Sequence, residues 1–173
     1  MFGVDSAIAM LQAISAQSAT PLVRVPALDD AIIMKMLDAG AYGVICPMID
    51  TAEQAARLVS ACRYPPTGIR SFGPSRGLLH GGPDYVAHAD DTVLVWAMIE
   101  TRAGLAAVDE IAATPGIDAL YIGPSDLASD LGVAIGTFPL PDVLDAAVDR
   151  IIAAARAAGI KVGIFCGSEA MAV

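Results

Sequence analysis

What most narrows the fold of this chain is a repeated alternation of helix-period segments with short, nearly unbroken apolar runs. The runs cover residues 22–25, 42–48, 92–99, 117–122 and 160–165, and helical patterns cover residues 4–16, 29–39, 51–62, 103–113 and 141–158. Apolar runs without polar alternation predict strands covered by helices on both faces. Strand–helix–strand spacing of about 20–30 residues predicts parallel βαβ units. Local signals agree. Asp5 or Ser6 lies near the first cap, and Ala9, Met10 and Ile14 share one face of that helix. Asp29 or Asp30 caps the second helix, Ile32, Ile33, Met36 and Leu37 form its apolar stripe, and Gly40 stops it. Thr51 caps the third, with Glu53 and Gln54 in its first turn, and Pro141 opens the long Ala-rich helix, where its missing N–H costs nothing.

An open doubly wound sheet and a (β/α)8 barrel both fit this order. No G-x-G-x-x-G follows the first strand, which removes the simplest dinucleotide-binding reading. A barrel normally takes about 250 residues, whereas this chain has 173 and five visible strands. On the barrel reading it is therefore incomplete, a single partial domain over residues 1–173. Residues 64–91 break the rhythm as 28 residues rich in Gly and Pro that hold Arg70, Arg76, His80 and His88. A segment of that length is expected to be a loop, functional or disordered.

Charge excludes several classes of partner. Ten basic residues against 19 acidic ones give a net charge of −9 and a pI near 4.4. Nucleic acid and anionic membranes need clustered Lys and Arg, so neither is an expected partner. No apolar run approaches the roughly 18 residues of a membrane span, and no secretory leader is visible. Cys46, Cys62 and Cys166 form no C-x-x-C pair and read as reduced core thiols of a cytoplasmic protein.

In parallel α/β folds ligands sit at the carboxyl ends of strands. The third run ends in Glu100 and the fourth in Gly123-Pro124-Ser125-Asp126, a separation of 26 residues, or one βα unit. Neighbouring strands lie about 4.8 Å apart, close enough for both carboxylates to share one cation. Carboxylate oxygens completed by water or substrate suit Mg²⁺, Mn²⁺ or a similar divalent ion. Each acid also precedes a helix and could instead act as a cap or first-turn acid. Arg24, inside Leu22-Val23-Arg24-Val25, is a charge in a short strand expected to be buried, where it needs a partner. A substrate carboxylate and an ion pair with Asp38 both remain open. Lys35 falls on a helix and Lys161 begins a strand, so a lysine imine is disfavoured. His80 and His88 read as surface groups.

The segments PLVRVP, IMKMLDAGAYGVICPMI, TAEQA, ACRYPPTGIRSFGP, MIET and GIDALYIGPSDLASDLG together resemble the HpcH/HpaI aldolase/citrate lyase family. The nearest subgroup is the class II aldolases of 4-hydroxy-2-oxo acids and 2-keto-3-deoxy sugar acids. The resemblance implies a (β/α)8 TIM barrel of the phosphoenolpyruvate/pyruvate type, of which this chain would supply about strands 3–7, in a homo-oligomer. It implies Glu100 and Asp126 as ligands of Mg²⁺, Mn²⁺ or Co²⁺, and Arg24 as the residue that holds the pyruvyl group. It implies further that Asp38 supports a catalytic histidine, and that Ser125 and Asp126 contact substrate. Met98 departs from the family, many members of which carry a substrate-touching Gln there. The implied reaction is retro-aldol cleavage of a 4-hydroxy-2-oxo acid to pyruvate and an aldehyde, with the enolate stabilised by metal and Arg24. The family's base histidine, in a D-x-x-HG-like motif, has no counterpart here, and the chain is expected to be truncated at both ends. Two alternatives accompany this reading: a non-catalytic or weakened paralogue that binds metal and a 2-oxo acid, and a CoA-thioester lyase of the same superfamily. The second would need a basic cleft that the scattered basic residues do not supply.

Overall fold

The Asp29 carboxylate accepts hydrogen bonds from the N–H groups of Ala31 and Ile32, and so starts the helix Asp30–Asp38 as the sequence predicts. Thr51 does the same for Ala52–Cys62 through the N–H of Gln54. The first helix departs from expectation: its cap is Gly3, with no side-chain hydrogen bond, rather than Asp5 or Ser6. These elements belong to a computed structural model that describes residues 3–167 and residue 169.

The chain runs α1 (Val4–Ser15), β1 (Leu22–Arg24), α2 (Asp30–Asp38), β2 (Gly43–Cys46), α3 (Ala52–Cys62), α4 (Gly77–Gly81), α5 (Tyr85–Thr92), β3 (Leu94–Ile99), α6 (Arg102–Ala106), α7 (Val108–Ala112), β4 (Ala119–Ile122), α8 (Pro124–Leu131), α9 (Asp142–Ala158) and β5 (Lys161–Ile164). The strands form one sheet in the order β1-β2-β3-β4-β5, every neighbour parallel. A doubly wound sheet reverses its order partway across, and this one does not. Successive right-handed crossovers therefore put their helices on one face: α2 packs on β2, α3 on β3, and α9 on β4 and β5.

That face is sealed. Val44, Cys46, Val95, Ala97, Ile99, Leu120 and Ile122 are at most 1% exposed. Burial pushes the Cys46 thiol up to about 12, so it stays a thiol at neutral pH. On the other face Ile45, Trp96 and Tyr121 remain half-buried, the two rings 6.1 Å apart. The expectation of helices on both faces is thus corrected, because the apolar runs also supply this second, partly open face.

Residues 64–91 are not a long loop. They contain α4 and most of α5 around a small separate cluster of Tyr64, Tyr85 and Ala89. Arg70, 1% exposed, crosses this cluster, with its guanidinium 4.5 Å from the Tyr64 ring centroid. It donates to the Tyr85 hydroxyl (3.1 Å) and to the Asp38 carboxylate (2.9 Å). The glycines there serve packing: a Cβ on Gly77 or Gly81 would lie 2.7 or 2.5 Å from the Tyr85 ring. The predicted helix over residues 103–113 is split into α6 and α7 at Ala107. Among the described residues no helix is long and apolar enough to cross a membrane.

Candidate functional site

Glu100 directly follows β3, and Asp126 lies in the first turn of α8, directly after β4. The register Met98↔Tyr121 and Ile99↔Ile122 brings both carboxylates out at the same carboxyl rim. Glu100 is 2% exposed. Its Oε1 accepts the Met48 N–H at 2.9 Å, while its Oε2 is buried without a hydrogen-bond partner. Burial pushes the Glu100 carboxyl above the ordinary carboxylate range; the Met48 N–H opposes this and the neighbouring Asp126 adds to it. Two ionised carboxylates cannot donate to one another, so a shared proton, a cation or a hydrogen-bond donor between them is needed to relieve the pair.

Two backbone features make room for this arrangement. Met48 has φ 56°, the one positive φ outside glycine among the described residues, and that conformation turns its N–H toward Glu100. Gly123 lies against the other side of the carboxylate, where a Cβ would be 2.6 Å from Glu100 Oε2 and 2.5 Å from Met98 Cε. Gly123→Ala is therefore expected to displace Glu100, weakening Mn²⁺ binding at least about tenfold and lowering stability by about 1–3 kcal/mol. Metal titration and denaturant unfolding check the two effects separately.

The capping alternative fails for Glu100. The cap of α6 is Thr101, whose hydroxyl accepts the Gly104 N–H at 2.9 Å. Asp126 does occupy a first helical turn, where the dipole favours an acid, but the cap position of α8 is Gly123. Ser125 precedes it on an exposed turn, and Met98 is buried on the same sheet face as Glu100.

Arg24 ends the edge strand β1 and is exposed, not buried as expected, because β1 has only one neighbour. Its positive charge reaches Glu100 and draws that carboxyl's pKa down. It also borders a cavity of about 430 Å³ between α1, β1 and α2 whose other walls, Leu11, Leu22 and Met36 among them, are largely apolar. Asp38 is not its partner. Asp38 ends α2, which runs back from the carboxyl rim to the start of β2, so it sits at the opposite end of the sheet, held by Arg70. His80, on α4, lies 3.0 Å from Arg76, and His88, on α5, pairs with Asp84; both are exposed. Lys161 opens β5, at the end of the strand away from the rim.

Glu100 and Asp126, with Arg24 across the rim, are thus the predicted residues that the fold gathers. Among the described residues no group of three or more His, Cys, Asp or Glu side chains could hold a metal. The pair nevertheless fits a hard divalent ion: its donors are carboxylate oxygens, one is buried and unsatisfied, and water or substrate can complete the set. Sequence reasoning missed Met48 and Gly123, which shape the space around the Glu100 carboxylate. The only visible signals were Pro47-Met48 ending one strand and Gly123-Pro124 ending another.

Comparison with known proteins identifies relatives of this chain. The sequence pattern of the HpcH/HpaI aldolase/citrate lyase family matches residues 2–172. A hydroxypyruvate/pyruvate aldolase of Rhizorhabdus wittichii is 52% identical over 167 residues, which cover 94% of this chain and 65% of that protein. A 5-keto-4-deoxy-D-glucarate aldolase of Salmonella paratyphi C is 41% identical, over 96% of this chain and 65% of its own length. A crystal structure of a family member from Burkholderia cenocepacia superposes with a TM-score of 0.89 at 38% identity, covering 98% of this chain and 68% of that one. The chain thus spans just under two thirds of the length of these curated relatives.

Proposed function

Since the chain belongs to the HpcH/HpaI aldolase/citrate lyase family, we propose that it carries the metal- and 2-oxo-acid-binding wall of a class II aldolase. The reaction is retro-aldol cleavage of a 4-hydroxy-2-oxo acid to pyruvate and an aldehyde. The single observation that carries this reading is the buried, unpartnered Oε2 of Glu100 beside Asp126 at the carboxyl rim. Glu100 and Asp126 would hold Mg²⁺, Mn²⁺ or Co²⁺, which when bound supplies Lewis-acid polarisation of a keto oxygen. Arg24, exposed at the same rim, orients the substrate carboxylate and balances negative charge that grows on the substrate oxygens during cleavage. The exposed first turn of α8 offers Ser125 to the same ligand. Met98, buried on the same sheet face as Glu100, stands where the family resemblance implies a substrate-touching Gln in many members. The one-directional strand order supports an incomplete (β/α)8 barrel, about strands 3–7, whose two open sheet edges, at β1 and β5, invite self-association.

Asp38 stands outside this machinery because Arg70 holds its carboxylate. Neither His80 nor His88 reaches the rim, which favours a second reading in which this chain binds metal and 2-oxo acid but turns substrate over slowly. Calorimetric titration with Mn²⁺ and then pyruvate tests the binding claim. Pyruvate is expected to bind only after the metal, and Arg24→Met to weaken pyruvate but not metal. Equal pyruvate binding with and without metal contradicts it. Brisk pyruvate release from a 4-hydroxy-2-oxo acid by this chain overturns the second reading.

A further inference from the structure

The turn that follows β2 is tied to β3 at three successive residues. Met48 donates its N–H to Glu100 Oε1, and Ile49 donates its N–H to the Met98 carbonyl at 3.2 Å. The Asp50 carboxylate accepts the Thr101 hydroxyl. The three partners, Met98, Glu100 and Thr101, bracket the end of β3. The Asp50 N–H, in turn, is held by Gln54 Oε1 at 2.6 Å, which anchors the turn to α3. Gly104 is packed so closely that a Cβ there would lie 2.7 Å from the Ile49 carbonyl. A left-handed Met48 is a strained conformation that persists only where its surroundings over-determine it. These contacts supply that determination.

Left free, a Glu side chain could rotate or offer both oxygens to a ligand. Here the Met48 N–H occupies Oε1, and the bare Cα of Gly123 leaves Oε2 its space. We infer that Asp50 and Thr101 are positioning residues: through the strained Met48 turn they hold Glu100 so that it presents one oxygen, Oε2, to a divalent ion. This rests on the proposed metal site and adds to it the residues that set its affinity.

Mn²⁺ titration of the whole chain by electron paramagnetic resonance, with thermal unfolding run in parallel, tests the assignment. Asp50→Ala and Thr101→Val are expected to weaken Mn²⁺ binding about tenfold, the lower end for groups that hold a metal ligand in place. Thr101→Ser, which keeps the hydroxyl for both Asp50 and the Gly104 N–H, is expected to stay within about twofold of the parent. A purely structural role would lower the unfolding temperature of Asp50→Ala and leave the Mn²⁺ affinity of the folded protein unchanged, and that result overturns the inference. Equal weakening in Thr101→Ser and Thr101→Val also overturns it. Failure of the underlying site looks different: the parent chain binds no Mn²⁺, or Glu100→Ala binds it as well as the parent, and the inference falls with it.

Discussion

Replacing Glu100 with Gln is expected to stabilise the metal-free protein and, at the same stroke, to abolish its stabilisation by divalent ions. The Glu100 carboxyl titrates above the ordinary carboxylate range, chiefly because it is buried and further because Asp126 is near. The folded state thus holds this proton more tightly than the unfolded state. Stability falls as pH rises from the ordinary carboxylate value through the raised one, and stays reduced above it. Gln cannot ionise, keeps an oxygen for the Met48 N–H, and gains an N–H that can donate to Asp126. Removing an unsatisfied buried group of this kind is worth about 1–3 kcal/mol, or roughly 2–4 °C in Tm per kcal/mol for a chain of this size. The advantage of the variant should shrink toward zero as pH falls below the ordinary carboxylate range. Mn²⁺ at about a hundred times its Kd should stabilise the parent by about 2.7 kcal/mol, or some 5–10 °C, and should not shift the variant. Thermal unfolding with and without metal at neutral and acid pH checks all four states.

The second large effect lies at the other end of the sheet. Arg70→Ala removes a guanidinium, 1% exposed, that touches two tyrosine rings, a tyrosine hydroxyl and the Asp38 carboxylate. Breaking a buried pair costs about 3–5 kcal/mol. Asp38 retains some contact with water, its side chain being 23% exposed, which places the expected loss near about 3 kcal/mol. The α4–α5 segment, whose own core is Tyr64, Tyr85 and Ala89, should loosen first, and denaturant unfolding measures the loss. Mn²⁺ affinity of the folded variant should be unchanged, because Asp38 and Arg70 lie away from the carboxyl rim. A loss below about 1 kcal/mol would mean that the pair roughly balances its desolvation.

The contrast between the two ends explains what was legible in the sequence. Helices with a capping residue and a clear apolar stripe, such as those begun by Asp29 and Thr51, were readable because cap and periodicity are local. The pair α4 and α5 was not, because its short helices are punctuated by glycines that exist for the Tyr85 ring, and its core includes an arginine. The carboxylates of the rim were readable because strand ends and parallel order follow from spacing. Arg24 was misjudged as buried because which strand lies at an edge is not written in any run of apolar residues. Of the two alternatives open for Arg24, the ion pair with Asp38 fails because the direction of α2 carries Asp38 to the far end. Pro47-Met48 marked only a strand end, and Asp50 and Thr101 had no local signature for their roles, since the contacts of all three join residues about fifty positions apart.

The central claim, that Glu100 and Asp126 share one divalent ion, is tested most directly by Mn²⁺ stoichiometry. Electron paramagnetic resonance titrations of the parent, Glu100→Gln, Asp126→Asn and the double variant should give one site per parent chain. Each single variant should lose that site, and the double variant should be no worse than either. No site in the parent, or a site that survives in either single variant, would contradict the claim.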